Sequence, residues 1–179
     1  MLKNNKFEYR KLIPYCKEKG FAYIPSTLIT SKMNGNKSTT SLRLESDDFS
    51  IVFKEIEKYL KKEDIFFEKF DENNSPCPAI RYAINIDSQG DVYPCNSFYF
   101  KVGNIYENDL EYIWNHSEGY KYLNGLKNSS SKECGKCDMR DYCTRCPGHA
   151  LLEDGDLLGC SSIDKRHAMM MCREMNRKE

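Results

Sequence analysis

The chain has 179 residues, enough for one ordinary domain or two small ones. Its 27 Lys and Arg balance 27 Asp and Glu, which excludes the broad basic surface of a dedicated nucleic-acid binder. Hydrophobic residues make up 40%, enough for a core, yet no run approaches the ~20 apolar residues of a membrane helix, so no membrane partner is expected.

The opening, MLKNNKFEYRKLIPYC, lacks an apolar h-region and does not read as a signal peptide. Glu8 to Lys19 reads as a short helix with Leu12, Ile13 and Cys16 on one face and Gly20 as its stop. Phe21 to Thr30 follows as a β-rich run that Pro25 places at an edge or breaks. Ser31 to Thr40 is a polar loop with an Asn34-Gly35 turn signal. Ser46 then reads as an N-cap, with Ile51, Val52, Ile56 and Leu60 at helical spacing to about Lys62.

Residues 63–76 form an acidic linker whose Phe66, Phe67 and Phe70 are expected to pack under the next unit. Ala79 to Ile86 and Asp91 to Cys95, around Asp87-Ser88-Gln89-Gly90, read as a β-hairpin. Phe98 to Tyr106 is aromatic and extended. Asp109 to Asn115 and Gly119 to Lys127 read as helices, with Leu110, Ile113 and Trp114 as one apolar stripe. Asn128–Lys132 is a polar loop, and Ile163 opens a terminal helix. Lys165-Arg166-His167 reads as a solvated face of that helix.

Cysteine is the unusual quantity. There are nine, and eight lie between Cys77 and Cys172. An odd count without a signal peptide argues against a secreted disulfide framework and for metal in a cytoplasmic protein. Cys134-x2-Cys137-x5-Cys143-x2-Cys146-Pro147 is the strongest local signal, because a Cys-x2-Cys turn lets two sulfurs face one ion or cluster. Upstream, Cys77-x12-Gly90-x4-Cys95 brackets the hairpin, and downstream comes Cys160. Seven thiols suit two four-ligand sites, one of them short of a protein ligand. Two chemistries compete on spacing: iron–sulfur, since a run ending in Cys-Pro occurs where the last Cys serves a second cluster, and zinc. Neither His149 nor His167 stands at a paired zinc-finger spacing. Arg140 and Arg145 lie between the cysteines and either offset cluster charge or are simply exposed; His149 is a candidate donor to a sulfur.

This order of seven cysteines and one glycine resembles the SPASM domain, the C-terminal auxiliary-cluster domain of many radical S-adenosylmethionine (SAM) enzymes. The family pattern ends its central run in Cys-x3-Cys, where this chain has Cys143-x2-Cys146. The resemblance covers about residues 77–165. It implies an α+β fold in two parts: residues 1–72 as the last α/β elements of a partial TIM-type barrel with its connector, and residues 73–179 as the SPASM domain with a β-hairpin, short helices and Cys-rich loops. It also implies two [4Fe–4S] clusters. Cys77, Cys95 and Cys146 would hold the nearer one, its fourth position unassigned with Cys16 the upstream candidate. Cys134, Cys137, Cys143 and Cys160 would hold the farther one, Cys172 being the rival for the last place. Phe98, Tyr99, Tyr106 and Tyr142 would cover the clusters.

The Cys-x3-Cys-x2-Cys triad of the radical SAM site is absent from the sequence, so this chain alone is not expected to cleave SAM, which would belong to the intact enzyme. The partners implied are a peptide or protein substrate and a separate radical SAM half. A zinc-stabilised binding module, or a split-gene partner docking peptide on an edge strand near Phe21 to Thr30, are the competing readings.

Overall fold

The computed structural model describes residues 1–59 and 70–176. Its elements are α1 (Tyr9–Lys19), α2 (Ser46–Ile56), α3 (Ala79–Tyr82), β1 (Asn85–Ile86), β2 (Asp91–Tyr93), β3 (Gly103–Asn104), α4 (Leu110–His116), α5 (Glu118–Gly125), α6 (Pro147–His149) and α7 (Ser162–Asn176). Short 3₁₀ turns and one π-helical turn, Ala150–Asp154, fill the intervals. The architecture is α+β: helices around one small antiparallel sheet of order β1-β2-β3. Among the described residues no helix is long and apolar enough to cross a membrane.

α1 ends where expected, because Gly20 takes the left-handed conformation (φ 71°) and its N–H returns to the last turn. Its buried face differs from the expected one. Tyr9 and Ile13, one helical turn apart, enter the core, whereas Leu12 is 46% exposed and Cys16 is half-buried. α2 buries Phe49, Val52 and Ile56 and leaves Ile51 outside. Glu45, one residue before the expected Ser46, occupies the cap position. Leu60, Phe66 and Phe67 lie outside the described residues; Phe70 lines the cavity described below.

The β-rich run Phe21 to Thr30 forms no strand, which corrects the expected edge. Its backbone acceptors are engaged by side chains instead of a ladder. Arg43 Nε donates to Ile29 O (2.8 Å) and Thr39 Oγ1 to Thr30 O (2.7 Å). Phe21 and Ile24 stay 63% and 88% exposed, so their apolar character drives no pairing. The next residue, Ser31, is anchored to the far half of the chain: Glu153 Oε1 accepts from Ser31 N–H, Ser31 Oγ (2.8 Å) and Arg43 Nη2 (2.7 Å). Burial pushes the Glu153 carboxyl up, but these three donors outweigh it and hold the group below its usual range.

One core holds Tyr9, Ile13, Leu44, Phe49, Val52 and Ile56, with Met171 of α7 closing it. Arg166 reaches Leu44 O (2.9 Å), and His167 reaches Thr27 Oγ1 (2.9 Å) and meets the Phe49 ring edge-on. Arg166 and His167 thus contact the first unit, whereas Lys165 is exposed as expected; burial pushes the His167 imidazole below its ordinary value.

Beside this core, Arg10 grips Glu55 with two hydrogen bonds (2.5 and 2.8 Å), and Tyr9 OH adds a third (2.6 Å). The bonds from Arg10, then from Tyr9, hold the Glu55 carboxyl at about 2. A depressed carboxylate stabilises the fold above its unfolded value and loses that contribution as pH falls toward the folded one. We expect the urea midpoint to drop from about pH 4.5 to pH 2. Glu55→Gln should flatten that slope while leaving the pH 7 midpoint lower; an unchanged acid slope in the variant would remove Glu55 from the account.

The second core holds Ile80, Val92, Phe98, Ile113, Tyr120 and Leu123, with Cys77 and Cys95 packed against its edge. Ala79–Tyr82 is a helical turn, so the hairpin is shorter than expected and pairs Asn85 with Tyr93 and Ile86 with Val92. Its turn is closed by Asp87 Oδ1, which accepts from Gln89 N–H (2.9 Å) and Asp91 N–H (3.0 Å). Gly90 sits at φ 78°, and a Cβ there would lie 2.6 Å from the Tyr106 ring. In α4 the expected stripe is real at Ile113, while Leu110 is exposed. The Asn128–Lys132 loop is tied down: Asn128 N–H donates to Asn74 O (2.8 Å), Ser129 N–H to Glu72 O (2.9 Å), and Ser131 is buried.

Candidate metal centre

The cysteines leave the helices and strands at tight turns. Cys134–Lys136 and Arg140–Tyr142 are successive 3₁₀ turns, closed by Cys137 N–H to Cys134 O (3.2 Å) and Cys143 N–H to Arg140 O (3.3 Å). Each turn ends on a cysteine in extended conformation and so turns the chain back toward the same space. Cys146 follows as the cap of α6, whose Pro147 pre-sets the first helical residue. Cys95 lies two residues past β2 and forms an isolated bridge with Phe98, with Ser97 N–H 3.4 Å from its sulfur.

Six of the seven sequence-selected cysteines, Cys77, Cys134, Cys137, Cys143, Cys146 and Cys160, line one cavity of about 910 Å³. Cys95 is not among its lining residues. The thiols nevertheless interact in two groups. Cys143 feels Cys134, Cys137 and Cys160; Cys77 feels Cys95, and Cys146 feels Cys77. Cys16 and Cys172 join neither group; Cys172 accepts from Asn176 Nδ2 (3.3 Å) on its own helix. All nine thiols are free.

Burial pushes the Cys143 thiol up to about 12 and the Cys146 thiol to about 11, with Asp164 adding to both. Burial raises Cys77 and Cys160 as well. Without metal such groups are neutral thiols near pH 7, so a bound metal must displace their protons. Backbone N–H groups already point at sulfur: Ala79 and Ile80 at Cys77, Gly148 and His149 at Cys146. These donors stabilise negative sulfur, as in protein sites for iron–sulfur clusters. Among the described residues no three His, Cys, Asp or Glu side chains converge closely enough for a single metal ion. Six of the thiols line one cavity, and an all-cysteine donor set is the ligand chemistry of an iron–sulfur group.

Residues 77–147 match SPASM, an iron-sulfur cluster-binding domain. A second likeness is to an AdoMet-dependent heme synthase of Methanosarcina barkeri (strain Fusaro / DSM 804), 32% identical over 73 residues. That stretch is 41% of this chain and 21% of the synthase, so the chain spans about a fifth of that relative's length. An iron–sulfur cluster-binding role follows for the SPASM segment.

Within the SPASM domain and the helix after it, the structure adds a residue that motif reading missed. Asp164, 2% exposed, accepts from Cys146 N–H through Oδ2 (2.8 Å) and bonds His149 Nδ1 through Oδ1 (2.8 Å). Its own N–H bonds Ser161 Oγ (3.3 Å). The sequence signal was present: Ser161-Ser162-Ile163-Asp164 is a capping pattern at a helix start. The His149 side chain is thereby held by Asp164; its backbone, not its ring, addresses sulfur. Asp164→Ala should leave two buried partners unmet and lower stability by about 3 kcal/mol in urea unfolding of anaerobically prepared protein. A shift under about 0.5 kcal/mol would mean that neither bond matters to the fold.

The expected aromatic cover is a correction. Phe98 is fully buried in the second core, Tyr99 stacks on Tyr93 (4.6 Å), Tyr106 is exposed over Gly90, and Tyr142 OH bonds Asn176. None of them lines the cavity; Phe70, Pro76, Pro78, Met139 and Met169 do. Arg140 is exposed and donates to Gly135 O (2.8 Å), while Arg145 is part-buried at the cavity wall.

Proposed function

We propose that this chain is the C-terminal portion of a radical SAM/SPASM maturase. In this reading it binds two auxiliary [4Fe–4S] clusters for electron transfer, substrate engagement or both during modification of a peptide or protein. The observation that carries the reading is that six cysteines of the seven-cysteine order line one cavity, with Cys95 packed against the same core as Cys77, within a SPASM match. Cys77, Cys95 and Cys146 would hold one cluster and Cys134, Cys137, Cys143 and Cys160 the other.

When bound, the clusters supply one-electron chemistry near substrate. The chain's own residues do the rest. The N–H groups of Ala79, Ile80, Ser97, Gly148 and His149 direct partial positive charge at sulfur, which favours thiolate. Asp164 fixes the backbone of Cys146 between the two groups. Phe70, Met139, Met169 and the prolines form an apolar part of the cavity wall. Residues 1–72 are assigned as the closing elements of a partial barrel and its connector, α1 and α2 being its helices. The barrel's SAM-binding part would lie in another stretch of chain or a separate subunit, and the setting would be the reducing cytoplasm. The heme synthase match covers 73 residues and supports the cluster-binding role, leaving the substrate to this proposal.

Anaerobic reconstitution with iron and sulfide, followed by iron, sulfide and zinc analysis, tests the reading. Two cubane clusters predict about eight irons and eight sulfides per chain with visible absorbance. One or two zincs with no visible absorbance would establish a zinc-stabilised module instead.

A further inference from the structure

Among the described residues, none of residues 1–59 lines the cysteine cavity, and Cys16 joins neither thiol group. This first unit nevertheless reaches the centre through two intermediaries. One is Glu153, in the turn that follows α6. Its carboxylate takes Ser31 Oγ (2.8 Å) and Arg43 Nη2 (2.7 Å), and Lys37 Nζ lies 3.3 Å from its carbonyl oxygen. The other is α7.

α7 changes partner within a single turn. Asp164 accepts from Cys146 N–H (2.8 Å), and Lys165 lines the cavity. The next two residues address the first unit. Arg166 donates to Leu44 O (2.9 Å) and Glu45 Oε2 (3.1 Å), while His167 meets Thr27 Oγ1 (2.9 Å) and the edge of Phe49. The alternation continues along the helix. Met169 lines the cavity, and Met171 closes the first core. Glu174 Oε1 accepts from Ser50 Oγ (2.5 Å), and Asn176 Oδ1 accepts from Tyr142 OH (3.2 Å), beside Cys143. Helical turns are locked by backbone hydrogen bonds at about 1.5 Å rise per residue, so one set of contacts cannot move without carrying the other.

We propose that α7 couples the two units: metal bound at the cysteines and docking of residues 1–59 favour each other. The coupling rests on the cysteine centre proposed above, and its form is the same for iron or zinc. Metal on Cys146 fixes that residue's backbone and favours the arrangement in which its N–H meets Asp164. The same arrangement sets Arg166 and His167 on Leu44, Thr27 and Phe49. Linkage is reciprocal, so a docked first unit in turn strengthens metal retention.

The test follows the full chain by hydrogen exchange with mass spectrometry and by iron release to a chelator. In the wild type, amides of α2 should exchange at least about tenfold more slowly after anaerobic reconstitution than before it. Arg166→Met and Arg43→Met, which cut the two ties without touching a cysteine, should each shrink that slowing and release iron at least about fivefold faster. Arg166→Lys should recover part of the loss. Lys101→Met, which removes an ion pair to Asp91 on the sheet, is the control and should release iron at the wild-type rate. Equal exchange of α2 with and without metal would overturn the proposal, as would unchanged iron release in both tie variants. Equally fast release in Lys101→Met would also overturn it, since general destabilisation gives that result. A wild-type chain that takes up zinc but no iron, with α2 still protected on loading, would overturn the iron–sulfur reading and uphold the coupling. No uptake of either metal would overturn both.

Discussion

Cys146→Ala is expected to leave the chain with about four irons after reconstitution, half of the wild-type content. Cys146 is half-buried, its thiol lies near Cys77, and its backbone is pinned by Asp164 while Gly148 and His149 N–H groups address the sulfur. On the proposed assignment, removing it would leave Cys77 and Cys95 as the protein ligands of their cluster, too few for a stable cubane, while Cys134, Cys137, Cys143 and Cys160 would be untouched. The reciprocal variant Cys143→Ala should lose the other half. Because the Cys146 thiol stands near 11 without metal, loading must release a proton, and uptake should improve as pH rises. Iron and sulfide analysis of both variants, beside Cys16→Ala and Cys172→Ala as controls, checks the assignment. Equal iron loss in a control would show that the groups have been drawn wrongly.

Gly148→Ala should damage the same centre without touching a thiol. A Cβ at Gly148 would lie 2.4 Å from Ser97 O and 2.7 Å from Phe98 Cα. Both are backbone atoms, so no side chain can swing aside; the Pro147–His149 turn and the Cys95–Phe98 turn must move apart. Overpacking of this kind costs about 1–3 kcal/mol. The displacement also carries Cys95 away from Cys146, so iron should fall in the group that contains them. Gly125→Ala, where a Cβ meets nothing within 4 Å, is the control and should change the urea midpoint little. Equal midpoints and equal iron for the two variants would mean that the close approach does not position the centre.

Local signals were strong where one residue's own backbone chemistry decides the outcome. Gly20 and Gly90 adopt left-handed conformations where a helix stops and a hairpin turns, and Ile113 of the expected stripe is buried. They were weak where neighbours distant in sequence compete for the same groups. Phe21 to Thr30 has the composition of a strand, yet Arg43 and Thr39 take its carbonyls and Ser31 is drawn to Glu153. Leu12 and Ile51 sit at plausible helical spacings but on the wrong side of Tyr9, Ile13, Phe49 and Val52, which reach the core first. Tyr99 and Tyr106, expected as cluster covers, instead meet Tyr93 and the Gly90 turn.

The amino-acid sequence alone singled out the seven cysteines of the proposed centre, because their order and spacing are read directly along the chain; the fold brings six of them to one cavity. It likewise determined the SPASM segment and the α+β class. Only the tertiary structure decided that Asp164 and His149 brace Cys146, and that α7 fastens residues 1–59 to the cysteine loops. Those contacts join residues as much as 140 positions apart, and their energies depend on burial and hydrogen-bond geometry that no local pattern encodes.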